Sequence, residues 1–118
     1  MTFWCYPACS TCKKAQKWLD DRGIPYTLVN IKEQNPDKQR LAAILQKSGA
    51  PAKKLFNTSG LAYRALALKD KLPAMTQEEM LDLLCTDGML VKRPILEGET
   101  FALVGFREAR WADALLNK

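Results

Sequence analysis

Two cysteines three residues apart carry the most specific chemical signal in the chain, in the run Cys9-Ser10-Thr11-Cys12. A Cys-x-x-Cys pair between a strand and a helix points to thiol–disulfide chemistry, because the thiolate is the reactive form of cysteine and a helix N-terminus favours it. The unpaired N–H groups of Ser10, Thr11 and Cys12 can point at the Cys9 sulfur, and the helix dipole adds to them. Free cysteine is only a few per cent ionised at neutral pH. Lowering its pKa by ~1.5 units requires about 2 kcal/mol and brings about half of it to the thiolate. The same donors can hold the oxygens of a tetrahedral oxyanion, so Ser10 and Thr11 are candidate substrate-binding residues acting through their backbone. Cys12 shares a helix face with Cys9 and suits the resolution of a mixed disulfide formed there. Core packing in the stripe Cys12-Ala15-Leu19 is the competing reading of Cys12.

The rest of the composition removes alternatives. The chain has 118 residues, enough for one domain, and no histidine. Ser-His-Asp catalysis, Cys-His proteolysis and every histidine-containing metal site are therefore excluded. Cys5 lies mid-strand and Cys85 ends a helix, so both read as structural. The spacing Cys-x3-Cys-x2-Cys with one distant partner lacks the paired knuckles of a zinc ribbon, and neither metal nor prosthetic group is expected. The net charge of +5 comes from lysines that read as a solvated surface (Lys17, Lys32, Lys38, Lys47, Lys69, Lys92). No aromatic-interleaved basic stripe supports direct nucleic-acid binding. No run of ~18 apolar residues supports a membrane span, and the N-terminus lacks the pattern of a secretory signal, so the expected location is the cytoplasm.

The elements that must position the cysteines follow from pattern. Thr2 to Tyr6 is a short apolar strand that Pro7 stops. From Ser10 the spacing turns helical, with Cys12, Ala15, Trp18 and Leu19 on one face, Lys13, Lys14, Lys17 and Asp20 on the other, and Gly23 as the stop. Tyr26 to Asn30 is a second strand. Asn35-Pro36-Asp37 opens a helix bearing Leu41, Ile44 and Leu45, which Gly49-Ala50-Pro51 breaks. Ser59 to Leu66 reads as a short helix with Ala62, Ala65 and Leu66 facing inward. Thr76-Gln77-Glu78-Glu79 is a capping box flanked by Met75 and Met80 at staple positions, opening a helix that runs to about Cys85. Pro94 to Glu97 and Thr100 to Val104 are strands, and Gly98-Glu99 between them suggests a type II′ hairpin. Phe106-Arg107 leads into a last helix that buries Trp111, Ala112 and Leu115. The order β-α-β, helices, β-β-α is the thioredoxin-like α/β plan, a mixed four-stranded sheet with a helical insertion over about residues 36–90. The expected strand order is second, first, third, fourth, with the last strand antiparallel.

These residues resemble the ArsC/Spx family, the glutaredoxin-linked arsenate reductases and their relatives, over nearly the whole chain. The resemblance is carried by Tyr6 to Ala15, by Gly23-Ile24-Pro25-Tyr26, by Lys92-Arg93-Pro94-Ile95 and by Val104-Gly105-Phe106-Arg107. It implies a cis Pro94 and a catalytic Cys9 that forms a thiol–arsenate ester. Of three arginines around the bound anion, two are matched by Arg93 and Arg107, while the third position falls at Asn57. Glutathione, glutaredoxin or thioredoxin is the implied electron donor. The substrate is then a small oxyanion or a disulfide, and the partner a redox protein. The Spx branch carries a Cys-x-x-Cys switch like Cys9 and Cys12 and implies a different partner, the C-terminal domain of the RNA polymerase α subunit; its loop glycine aligns with Pro51. Within this frame Arg93 either pairs with the thiolate and binds an oxyanion bidentately, or makes a surface salt bridge. Arg107 either binds substrate or pairs with Glu108 or solvent.

Overall fold

The computed structural model describes residues 1–116. The four strands are β1 (Thr2–Cys5), β2 (Thr27–Asn30), β3 (Ile95–Glu97) and β4 (Ala102–Val104). They form one sheet in the order β2-β1-β3-β4. Thr2 pairs with Thr27 in the parallel β1–β2 ladder, as a strand–helix–strand crossover allows. The sheet reverses one strand earlier than expected: β3 already runs antiparallel to β1, and β4 runs antiparallel to β3. The long insertion can deliver β3 in either direction, whereas a four-residue link forces β4 to turn back.

Side-chain alternation along the strands divides the core between the two sheet faces. Phe3, Cys5, Leu96 and Leu103 pack with Cys12, Ala15, Trp18 and Leu19 of helix α1 (Ser10–Asp21) and with Trp111 of the last helix. Trp4, Ile95 and Ala102 pack on the other face with Leu41, Ile44 and Leu45 of α2 (Lys38–Ser48). The predicted faces of α1 and α2 are therefore those that the fold buries. Helix α1 stops where Gly23 takes φ 65°, and α2 where Gly49 takes φ 68°, left-handed values that glycine adopts without steric cost. Lys38 bridges α2 to the later helix through Glu78 at 2.7 Å and Asp82 at 2.8 Å.

Three local expectations are corrected. The predicted Ser59–Leu66 helix is a shorter α3 (Leu61–Ala65), and Ala65 and Leu66 are exposed rather than inward. Ala62 and Tyr63 make the contact with the core instead. One turn of helix can present only one face, and left-handed Ala67 at φ 52° redirects the chain immediately afterwards. A further turn, α4 (Leu68–Lys71), and a 3-10 turn over Leu72–Ala74 then bury Leu68 and Leu72, which no sequence pattern marked. The hairpin is not of type II′. Gly98 donates its N–H to Phe101 O at 2.8 Å, which makes it the first residue of the turn, and its φ is not positive. A Cβ there would meet the Phe101 ring unless that ring shifted.

The capping box forms as expected at the start of α5 (Gln77–Leu84): Glu79 N–H donates to Thr76 Oγ1 at 3.1 Å, and Thr76 N–H to Glu79 Oε1 at 2.9 Å. In α6 (Glu108–Leu115), fully buried Trp111 donates Nε1–H to Gly105 O at 3.0 Å and stacks edge-on against Phe106 at 5.0 Å. No helix among the described residues is long and apolar enough to cross a membrane.

Candidate active site

Strand β1 ends at Cys5 and the chain turns at once, with Cys9 N–H donating to Tyr6 O at 2.9 Å. Cys9 is thereby the N-cap of α1, extended at φ −83° and ψ 119°, and its sulfur takes the place of the usual capping oxygen. Cys12 N–H donates to Cys9 Sγ at 3.4 Å. Burial alone raises the pKa of Cys9. The Cys12 amide, the Cys12 thiol, the Arg93 guanidinium and the Thr11 amide together outweigh it, so the thiol is held below its ordinary value. The Thr11 amide is thus among the groups that favour the charged sulfur, and Ser10 lies exposed at the first turn.

Cys12 sits in the opposite environment. It is 2% exposed, its sulfur accepts the Tyr6 N–H at 3.4 Å, and its thiol is pushed up to about 12. Burial is the largest cause, and the hydrogen bond and negative charge of Cys9 add to it. The two thiols are therefore unlike: the surroundings of the first lower its pKa, and those of the second raise it. Cys5 is buried and raised by the same burial, and Cys85 donates its thiol to Asp82 O at 3.1 Å, which fits the structural reading of both.

The Arg93–Pro94 peptide is cis, as the resemblance implied. Pro94 is buried, and its carbonyl accepts the Gly105 N–H at 2.8 Å, which ties the end of β4 to the approach to β3. Gly105 has φ 75°, and a Cβ there would press to 3.2 Å from Lys92 Cε. A glycine at this position carries the chain round so that Arg107 reaches the same cleft as Arg93. The Arg93 guanidinium stacks over the Tyr6 ring at 5.2 Å and donates Nη1–H to Met89 O at 3.5 Å. Its Nε is buried without an acceptor, and it makes no salt bridge among the described residues, against the surface ion-pair alternative. Arg107 caps α6 from an exposed position, and Glu108 lies instead 3.8 Å from Arg22.

Cys9, Thr11, Arg93 and Arg107 line one cleft of about 1160 Å³. Cys12 is buried beneath it. Asn57, the uncharged position in the resemblance, lines this cleft too, but Lys53, Lys54, Lys92 and Arg110 supply charge around it. These four cations were not identified from sequence as site residues, and Lys92 was read as solvated surface. They meet through pairing across the chain: Phe56 bridges Val91, Asn57 N–H donates to Leu90 O at 2.8 Å, and Lys92 N–H to Leu55 O at 2.6 Å. These bonds pin the 3-10 turn Ala52–Leu55, with its two lysines, against the segment that delivers Lys92 and Arg93. The adjacency Lys92-Arg93 was the only signal of this in the sequence. No group of three or more potential metal ligands occurs among the described residues.

Comparison with known proteins places this geometry. The chain is 47% identical over 113 residues, 96% of each chain, to YusI of Bacillus subtilis, whose name records it as uncharacterized. It is 29% identical to the global transcriptional regulator Spx of Enterococcus faecalis, over 92% of this chain and 80% of that one. Among solved structures, an ArsC family related protein from Bacteroides fragilis superposes with a TM-score of 0.92 at 51% identity, covering 95% of this chain and 96% of that one. A possible arsenate reductase from Streptococcus mutans superposes with a TM-score of 0.83 at 46% identity over 90% of each chain. The family model described as the ArsC family matches residues 4–114. With its thioredoxin-like sheet and its Cys9 loop, the chain belongs to the ArsC family.

Proposed function

We propose that the protein is a thiol-dependent oxidoreductase of the arsenate-reductase type, with Cys9 as nucleophile and Cys12 as resolving thiol. The observation that carries this reading is the Cys9 sulfur at the α1 N-terminus, held toward the thiolate and facing a cleft lined by Arg93 and Arg107. Guanidinium groups match the paired oxygens of an oxyanion, and the buried Arg93 Nε is a donor in need of an acceptor. The similarity to the Streptococcus mutans structure supports arsenate as the first substrate to test.

The Cys9 thiolate attacks arsenic, a sulfur–arsenic bond forms, and one oxygen leaves as water. The Cys12 thiolate then attacks Cys9 Sγ and the Cys9–Cys12 disulfide forms. The electron pair of the broken sulfur–arsenic bond stays on arsenic, which passes from the pentavalent to the trivalent state. An external thiol donor of the glutathione, glutaredoxin or thioredoxin class returns two electrons to the disulfide. The test is arsenate-dependent NADPH consumption with glutathione, glutaredoxin and glutathione reductase. Turnover that disappears in Cys9→Ser and falls strongly in Arg93→Ala supports the proposal; no turnover with intact donors refutes the arsenate assignment.

The similarity to Spx favours a second reading, a redox-switched regulator that binds the C-terminal domain of the RNA polymerase α subunit. Binding that changes between reducing and oxidising conditions, without arsenate turnover, would select it. Pro51, where the resemblance places the Spx loop glycine, is exposed at the N-cap of the 3-10 turn and lines the active cleft.

A further inference from the structure

A bare oxyanion leaves most of this cleft unused. A tetrahedral oxyanion fills roughly 100 Å³, about three times the ~30 Å³ share of one water. The cleft holds about 1160 Å³, above the ~300–1,000 Å³ of pockets that enclose drug-sized ligands. Its charge is as lopsided as its volume. Lys53, Lys54, Lys92, Arg93, Arg107 and Arg110 line it, and Asp87 is the one carboxylate among them. None of the six cations forms a salt bridge with a described residue, whereas Lys17 pairs with Asp21, and Lys38 with Glu78 and Asp82. The cations come from three separate stretches, the 3-10 turn Ala52–Leu55, the approach to β3 and the start of α6. Such a spread suits several negative charges along a chain better than one compact anion. Leu61, 83% exposed on α3, adds an apolar contact at the rim.

We infer that this cleft docks an acidic polypeptide segment that presents a cysteine disulfide to Cys9. The inference rests on the thiol reading of Cys9 and specifies a substrate class for it. Cys9 attacks one sulfur of the bound disulfide, a new sulfur–sulfur bond joins enzyme and peptide, and the other sulfur leaves as a thiolate. Cys12 then attacks Cys9 Sγ, and the peptide leaves as its thiolate. The peptide disulfide has gained two electrons and the enzyme has become the Cys9–Cys12 disulfide. Binding comes from charge complementarity along the cleft, which steers encounter and rejects cationic chains.

The test uses three synthetic peptides of equal length, each with one central cysteine linked to thionitrobenzoate. The flanking residues are Asp and Glu in the first, Asn and Gln in the second, and Lys in the third. The full-length reduced protein attacks the peptide sulfur, and the coloured thionitrobenzoate reports the rate. The acidic peptide should react at least about tenfold faster than the neutral one at low ionic strength, within the 10–10³-fold range of electrostatic steering. The advantage should collapse near 1 M salt, where the Debye length is about 3 Å. Lys53→Gln with Lys54→Gln should lower the acidic-to-neutral ratio several-fold, and Lys53→Glu with Lys54→Glu should lower it further; both lysines are exposed, so folding is not at stake. Equal rates for all three peptides, or a ratio that ignores both variants, would overturn the inference and leave the thiol reading of Cys9 standing. Release that persists in Cys9→Ser would overturn both.

Discussion

Two charged regions flank the same sheet and solve opposite problems. On the α2 face, Glu97 of β3 is 6% exposed and fully engaged. Arg40 Nε donates to its Oε1 at 2.8 Å, Lys47 Nζ to its Oε2 at 3.0 Å, and Trp4 Nε1 to its Oε1 at 3.3 Å. Arg40 also stacks over the Trp4 ring at 5.3 Å. Burial raises the Glu97 pKa, but the donors from Arg40, Lys47 and Trp4 together outweigh it and hold the carboxyl below its usual range. Across the molecule, the Cys9 cleft gathers six cations around one carboxylate and pairs none of them. The first region closes its charges to hold α2 against the sheet. The second leaves its charges open beside a nucleophile. The difference separates charge that serves the fold from charge that awaits a ligand.

Breaking the cleft at its nucleophile gives the largest effect. Cys9→Ser should reduce thiol–disulfide turnover to the uncatalysed rate, while urea unfolding shows a midpoint close to that of the wild type. A large loss of stability in this variant would move Cys9 to the structural side of the comparison.

Breaking the closed region should do the reverse. Glu97→Gln should cost about 2–3 kcal/mol in urea unfolding with an unchanged m-value. That is less than the ~3–5 kcal/mol of a fully buried pair, because Arg40 and Lys47 are 46% and 27% exposed. Activity per folded molecule should persist. The pH dependence follows from the sign of the Glu97 shift. A carboxyl whose folded pKa is lowered stabilises fully above its unfolded pKa of about 4.3, and the contribution fades as pH falls through the folded value. The gap between wild type and Glu97→Gln should therefore be flat from about pH 5 to 7 and close below about pH 4.

The smallest effect is graded. Arg93→Ala removes one of several influences that favour the Cys9 thiolate, while the amides of Cys12 and Thr11 stay in place. The midpoint of Cys9 alkylation should rise, while the Cys12 and Thr11 amides keep it below that of a free cysteine. No change would show that Arg93 serves only the substrate.

The readable parts of the molecule were those set by local chemistry. The α1 face, the capping box at Thr76 and the Cys9 cap depend on residues within a few positions of one another. The type of the β3–β4 turn was misread because Gly98 lies close to the Phe101 ring and does not take a positive φ. Ala65 and Leu66 were misplaced because a one-turn helix offers too few residues to define a face. The Glu97 cluster was illegible for a different reason: its cations lie 57 and 50 residues away, and only the packing of α2 on the sheet brings them together. Lys53, Lys54 and Arg110 likewise reach the cleft only through tertiary pairing, so their charges looked like ordinary surface.

In the proposed mechanism Cys9 is the reactive thiolate and Cys12 its protonated reserve. Alkylation with iodoacetamide, mapped by peptide mass spectrometry across a pH series, tests it directly. Cys9 should be labelled first, with a midpoint below that of a free cysteine. Cys12, pushed up to about 12 beside the Cys9 thiolate, should stay unlabelled across that range in the native protein. Labelling of Cys12 before Cys9, or a Cys9 midpoint at or above that of a free cysteine, would contradict it.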